Sequence, residues 1–337
     1  MIPVEEYLNF LDDQYLSTFI KGGGTAVKFC VADEMNHSLF KRQLLKRARD
    51  KNYFVVQLDS GQTRIQMIDQ IFFEAARVVD WASLAEGMSD TACEAAGFAS
   101  RALDGVRSIE ELSKYYDMDQ RELQRDVVKQ LQTTIYRDYK MVHEFRIAML
   151  RLCQFSLSTG QVSDAEYESI NAWLKGEIRY ITLLKSARIF RKISRANARQ
   201  MLFSLTHWLV KNGSAGVILV LDLTQLFHKH LETDIGPPQT SYSRGAILDA
   251  YESIRQLIDN SNEFANIATF VCVPPEFITD RNRGLDLYQA LKLRIYDEVR
   301  DENRDNPFGT LVRLGGADLV REEDPTNYFM TGNSLGY

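Results

Sequence analysis

The sequence predicts an α/β fold, a parallel sheet divided by a large all-helical insert, and three observations predict it. The first is a strand–helix–strand pattern over residues 26–58 with short connections, which favours a parallel pair of strands. The second is the loss of any strand signal between residues 84 and 200, where apolar residues step by threes and fours. The third is proline. Of 7 prolines, none lies between residues 4 and 236. Proline removes a backbone donor and clashes with the preceding turn, so this stretch is free to be mainly helical, with a few strands among the helices.

Val4, Leu8, Leu11, Tyr15 and Phe19 recur at helical spacing and predict an amphipathic helix over 4–20, stopped by Lys21-Gly22-Gly23-Gly24. The apolar run 26–32 is a strand, followed by a helix over 38–50, a strand over 53–58 and a helix over 62–82. In the helical region, Ser108 with Glu111 and Ser163 with Glu166 have capping-box spacing. Between them Leu123, Val127, Leu131, Ile135, Tyr139, Val142, Phe145, Met149 and Leu152 form an apolar stripe. That stripe belongs to one long helix or two stacked ones. It reads as packing; a coiled-coil contact with another chain is the other reading. A basic helix over 176–200 and a helix over 195–211 lead to a buried strand, 216–222, ending in Asp222. A loop with Pro237 and Pro238, a helix over 245–260 and a strand over 267–273 follow, the last stopped by Pro274-Pro275. A helix over 285–298 and a fifth strand over 310–314 complete the core, and the residues beyond read as an extended tail.

The chain has 337 residues, 45% of them apolar and 26% charged, enough for a sizeable core and against wholesale disorder. No apolar run approaches the ~20 residues of a membrane-spanning helix, and the N-terminus lacks the pattern of a signal peptide. Cys30, Cys93, Cys153 and Cys272 are far apart and form no CxxC pair, so they read as reduced thiols of a cytoplasmic protein. The net charge of −6 argues against a general nucleic-acid coat but leaves room for a local patch. Residues 21–52 hold eight bases against three acids, and residues 176–200 hold seven bases against one. Arg188, Arg191, Lys192, Arg195 and Arg199 in the second run are candidate contacts for nucleic acid or an acidic partner; a solvated helix face is the alternative.

The order of landmarks resembles a known family. A glycine run precedes an apolar strand, a helix and a second strand. Later an AWLKGE segment, 172–177, leads through the basic run to an apolar strand ending in Asp222. A V-P-P-E-F turn over 273–277 then precedes Arg283-Gly284 and a helix with Leu291 and Arg294. This is similar to the P-loop ATP-binding proteins of bacteriophage exclusion (BREX) systems, over nearly the whole chain up to Leu314. The resemblance implies a three-layer P-loop NTPase-like core of AAA/ASCE type whose two halves, residues 1–83 and 201–315, flank a helical insert over 84–200. Residues 316–337 form the tail. It also implies a subunit of a prokaryotic antiphage defence complex, a homo- or hetero-oligomer partnered by other subunits and by an intact ATPase of the same family.

The phosphate-binding loop of such a core, GxxxxGK[ST], wraps phosphates in backbone N–H groups, reaches them with Lys and holds Mg²⁺ through a hydroxyl. Here the strand runs instead into Asp33-Glu34-Met35-Asn36-His37-Ser38. No glycine remains, His37 stands before Ser38 where Lys belongs, and two carboxylates open the loop. Each lost charge-assisted contact forfeits roughly 1.5–3 kcal/mol. Gly22-Gly23-Gly24 precedes the strand and reads as a turn, because the anion-binding helix N-terminus lies after it. Asp222 takes the position of the Walker B acid, and Leu223 stands where active relatives carry the acid that handles the attacking water. Asp222 also reads as a strand-end acid capping the next turn. The expectation is a degenerate nucleotide site at Asp33, Glu34, Asn36, His37, Ser38, Asp222 and Leu223 with no hydrolysis and no cofactor. A nucleic-acid-binding module that uses the basic helix over 176–200 is one alternative, and an ATPase completed in trans by a neighbouring subunit is the other. His228, His230, Glu232 and Asp234 form a string that on a strand would share a face, but the proline pair marks a surface loop, and no metal is expected. Arg294 resembles an arginine-finger position; pairing with a nearby acid is its other reading.

Overall fold

A computed structural model describes residues 1–98, 108–228, 242–296 and 305–315. Its strands are β1 (Ile2–Pro3), β2 (Thr25–Val31), β3 (Phe54–Asp59), β4 (Val217–Asp222), β5 (Ile267–Val273) and β6 (Leu311–Gly315). They form one wholly parallel sheet in the order β1-β6-β2-β5-β4-β3. β4 and β5 are buried at every position and apolar apart from Asp222 and Thr269, as strands of a parallel sheet covered on both faces are. β5 separates β2 from β4, the arrangement expected of an AAA/ASCE-type core.

Helix α1 (Val4–Phe10), continued by a wider π-helical stretch over Leu11–Phe19, and α2 (Glu34–Asp50) cover one face. They bury Tyr7, Leu8, Leu11, Phe40 and Leu44 against Cys30, Ile218, Val220 and Phe270. The alternate residues Phe29, Val56, Leu219 and Val271 point to the opposite face, the two-residue period of a strand. There α3 (Ile68–Arg77) heads a series of helices: α4 (Trp81–Ala95), α5 (Ile109–Tyr115), α6 (Gln120–Leu131), α7 (His143–Ser156) and α8 (Asp164–Leu174). The core half closes with α9 (Ala198–Lys211), α10 (Arg244–Asp259), the one-turn α11 (Glu276–Thr279) and α12 (Gln289–Ile295). One buried cluster runs without interruption from this sheet face through α3 and α9 into α4–α8. The result is a three-layer α/β architecture with a broad helical region on one side.

Several expectations are corrected. The sheet has a sixth strand, β1, whose two residues pair with the end of β6. Helix α2 begins at Glu34 rather than Ser38, because Asp33 caps it. The helix expected over 62–82 is two, with α3 ending near Arg77 and α4 starting at Trp81. The stripe from Leu123 to Leu152 divides at residues 137–142, between a π-helical end of α6 (Gln132–Tyr136) and α7. The basic run is not a helix. It holds a single 3₁₀ turn, Ile181–Leu184, and otherwise irregular chain up to α9. Its buried residues Ile178, Leu184, Ala187, Ile189 and Ile193 lack helical spacing, and Arg188 adopts a left-handed φ of 59°. The helix over 285–298 is a 3₁₀ turn (Leu285–Leu287) followed by α12, and residues 297 and 298 lie outside the described ones, as does the tail. Ser108 and Glu111 form a reciprocal capping box. Ser163 caps α8, but Glu166 turns instead to Arg151 at 3.1 Å.

Glycine is required in two turns. Gly23 (φ 103°) lies between the first helix and β2, where the Gly24 N–H donates to Phe19 O at 2.8 Å. Gly176 (φ 76°) follows α8 in the AWLKGE segment, and a Cβ there would meet the Phe73 ring at 2.8 Å. The four cysteines are buried and free, and burial pushes the Cys93 and Cys153 thiols up to about 12. Among the described residues no helix is long and apolar enough to cross a membrane.

Asp138, in the break before α7, ties the helical region to α9. Its carboxylate accepts hydrogen bonds from His207 Nε2 at 2.9 Å and Lys211 Nζ at 2.7 Å. Burial alone would raise its pKa, but the hydrogen bonds from Lys211 and His207 outweigh it and hold the group below the usual carboxylate range. A depressed folded pKa contributes stability that is present above the unfolded value of about 3.9 and is lost as pH falls through the folded value. Asp138→Asn should therefore lower stability at neutral pH by about 1–2 kcal/mol and flatten its decline in acid. Urea midpoints of both proteins, measured between neutral pH and about pH 3, check this; parallel curves would show that Asp138 contributes nothing.

Candidate nucleotide site

The C-terminal ends of β2, β4 and β5 meet the N-terminus of α2 at a cleft of about 550 Å³. Ligands of parallel α/β sheets bind at this edge, outside the carboxyl ends of the strands. Asp33, Glu34, His37, Ser38 and Asp222 all line it, so the structure brings together most of the degenerate site read from the sequence. Asn36 and Leu223 do not line it. Leu223 is buried in the core, its N–H donating to Cys272 O at 2.9 Å.

No glycine-rich loop lies between β2 and α2. Only Ala32 and Asp33 separate the end of β2 from the first residue of α2. The helix N-terminus, where free N–H groups would hold an anion, is served by the chain's own carboxylate. Asp33 Oδ1 accepts the Asn36 N–H at 2.8 Å and Oδ2 accepts the Asn36 side-chain amide at 2.9 Å. Ser38 consequently sits beyond the first turn of α2 and not at its mouth.

His37 is buried, and its Nε2 lies 3.0 Å from Cys30 O. A carbonyl only accepts, so Nε2 carries the proton and Nδ1 is left as an unpartnered acceptor. Burial lowers the pKa of His37, with Lys41 also lowering it and the Cys30 carbonyl, Asp222 and Asp33 opposing. The ring is neutral at pH 7 and supplies none of the positive charge that Lys gives to the phosphates.

The cation of this cleft is Lys41, which the sequence reading did not single out. From the second turn of α2, its Nζ pairs with Asp222 Oδ2. The other oxygen of Asp222 accepts the Thr224 N–H at 3.0 Å and the Thr224 hydroxyl at 2.6 Å. Both oxygens of Asp222 are thus engaged by protein groups, one as the turn cap expected of a strand-end acid and one by an ammonium. Burial would raise the Asp222 pKa, but the Lys41 and Thr224 hydrogen bonds win and the pKa is lowered. Burial would likewise lower that of Lys41, and the Asp222 hydrogen bond and charge raise it instead. The pair is ionised. Asp59, at the end of β3 in register with Asp222, is a second acid missed from sequence; it accepts the Gly61 N–H at 2.7 Å. Lys41 was within reach of inspection, being four residues after His37 and so on the same helical face.

Arg294 forms an ion pair with Asp259 of α10 and donates to Ala290 O at 2.7 Å. Asp297 and Glu298, the acids that follow it in the chain, lie outside the described residues. Of the His/Glu/Asp string only His228 is described, and it lines the cleft. Arg188, Arg191, Lys192 and Arg195 are exposed on the irregular segment before α9, and Arg199 is half-buried in its first turn.

A parallel sheet with β5 between β2 and β4, covered on both faces and opening a cleft at its carboxyl edge, defines a P-loop NTPase-like core. The chain belongs to the family described as BREX system ATP-binding protein BrxC/D, which matches residues 18–321. It is thereby placed among the proteins of bacteriophage exclusion. No curated protein and no solved structure matches it.

Proposed function

We propose that the chain is a structural or regulatory subunit of an antiphage defence complex whose ATPase-like core does not hydrolyse ATP. The observation that carries this reading is the ion pair of Lys41 with Asp222. Mg²⁺ is held in a working site through water and carboxylate oxygens, and it carries the phosphate oxygens of the nucleotide with it. Here the acid available for that task is already neutralised from within the fold. The neutral His37, the Asp33-capped helix and the buried Leu223 remove the remaining parts, each independently of the others. Fold and chemistry separate readily, so a core without turnover still presents its surfaces to partners. Those partners are other subunits of the defence system, an intact ATPase of the same family foremost, and the buried thiols agree with a cytoplasmic assembly.

Phosphate release from Mg-ATP by the purified chain should not exceed that of a protein-free blank. Turnover that Asp222→Asn abolishes would refute the proposal. Turnover appearing only when an intact family member is added, and lost with Asp222→Asn in this chain, would instead establish a site completed in trans.

A further inference from the structure

The irregular segment between α8 and α9 is a strongly charged surface that the nucleotide site leaves unused. Arg179, Lys185, Arg188, Arg191, Lys192 and Arg195 are all exposed on it. Among the described residues no carboxylate forms an ion pair with any of these six. The chain as a whole carries a net charge of −6, so this concentration of unpaired cations is local. Large apolar side chains stand out between them: Tyr180 is 57%, Leu183 54% and Phe190 65% exposed. Arg179 lies over the Tyr180 ring, 5.3 Å from its centroid.

The segment is held in place although it is not a helix. Leu184, Ala187, Ile189 and Ile193 are buried beneath it. The Trp173 indole on α8 donates to Arg191 O at 2.9 Å, and Lys192 Nζ donates to Arg179 O at 2.9 Å. That last bond closes the segment on itself, joining the stretch that carries Arg179 and Tyr180 to the one that carries Phe190, Arg191 and Lys192. Cations and aromatic faces therefore share one anchored surface.

We infer that residues 179–195 bind single-stranded nucleic acid, with the arginines on its phosphates and the Tyr180 and Phe190 rings under its bases. Cations alone would suit any polyanion. The exposed rings among them favour unpaired bases, which offer a face for stacking where a duplex does not. Sequence readers of duplex DNA insert a helix or a strand ribbon into the major groove, and this segment offers neither. The inference is independent of the nucleotide site, since it uses none of its residues.

Fluorescence anisotropy of a labelled oligothymidine of about 20 nucleotides tests it, with the full chain at salt between about 50 and 200 mM. Binding is expected, with log K falling against log salt at a slope near −3, from four or five phosphate contacts at about −0.7 each. The triple charge reversal Arg188→Glu, Arg191→Glu, Arg195→Glu should weaken it at least about tenfold and flatten the slope. Phe190→Ala and Tyr180→Ala should each cost at least about fivefold and leave the slope unchanged. These side chains are exposed, so thermal melting should show all the variants folded; should the triple variant fail to fold, the two alanine variants still decide. Absence of binding at the lowest salt, or affinity indifferent to the reversal, would overturn the inference. Equal affinity for a duplex that survives Phe190→Ala would also overturn it, as backbone binding without stacking. Binding of an acidic polypeptide such as polyglutamate in place of the oligonucleotide would point to a protein partner and overturn it likewise.

Discussion

Replacing Lys41 with methionine should destabilise the protein by about 3 kcal/mol, because it strands the buried carboxylate of Asp222 without its counter-ion. The lower end of the range for a broken buried pair applies, since the Lys41 side chain is 19% exposed and Asp222 4%. Methionine preserves the aliphatic stem, so the loss reports charge more than packing. The double variant Lys41→Met, Asp222→Asn should recover most of the loss: no charge is left to desolvate, and the amide oxygen of asparagine can still cap Thr224. A double-mutant cycle by urea unfolding measures this directly. Additive single losses would mean that the two groups do not interact. Acid should act on the same pair with a definite sign. Asp222 has its pKa depressed, so its contribution is complete above the unfolded carboxylate value of about 3.9 and fades as pH falls through the folded one. Lys41 has its pKa raised, so its share persists below the unfolded value of about 10.4 and fades only as pH rises through the folded one.

Trp173→Ala should cost about 3–5 kcal/mol, the range for truncating a large buried aromatic. Trp173 is among the largest side chains that are fully buried, and it lies in the cluster that joins the helical region to the sheet face. Its indole N–H also holds the Arg191 carbonyl, so the substitution should loosen the basic segment together with the core. Trp173→Phe, which keeps much of the ring but not the donor, should fall well short of the alanine loss. Unfolding midpoints give the stabilities, and hydrogen exchange over residues 179–195 gives the local effect. Unchanged exchange in both variants would show that the indole does not anchor the segment.

The core strands were readable because β4 is an apolar run up to Asp222 and β2 and β5 are apolar apart from Thr25, Lys28 and Thr269, the composition that a parallel sheet buried on both faces demands. β1 was not. Two residues ending in Pro3 carry no strand signal, and their pairing depends on β6 some three hundred positions later. The basic run misled for a different reason. Its evenly spread arginines and lysines resemble a solvated helix face, whereas the buried positions, at residues 178, 184, 187, 189 and 193, follow no helical period. In the site, Asp33, His37 and Asp222 were legible because their place is fixed by where strands end. Their partners were less so. Lys41 and Asp222 are 181 residues apart, and Arg294 meets Asp259 across two helices, contacts that only the tertiary fold sets.

Isothermal titration of the full chain with Mg-ATP tests the closed site most directly. With Lys41 on Asp222 and Asp33 on the N-terminus of α2, no saturable heat is expected up to about 1 mM nucleotide. A micromolar Kd that is lost on Asp222→Asn and accompanied by phosphate release would contradict it.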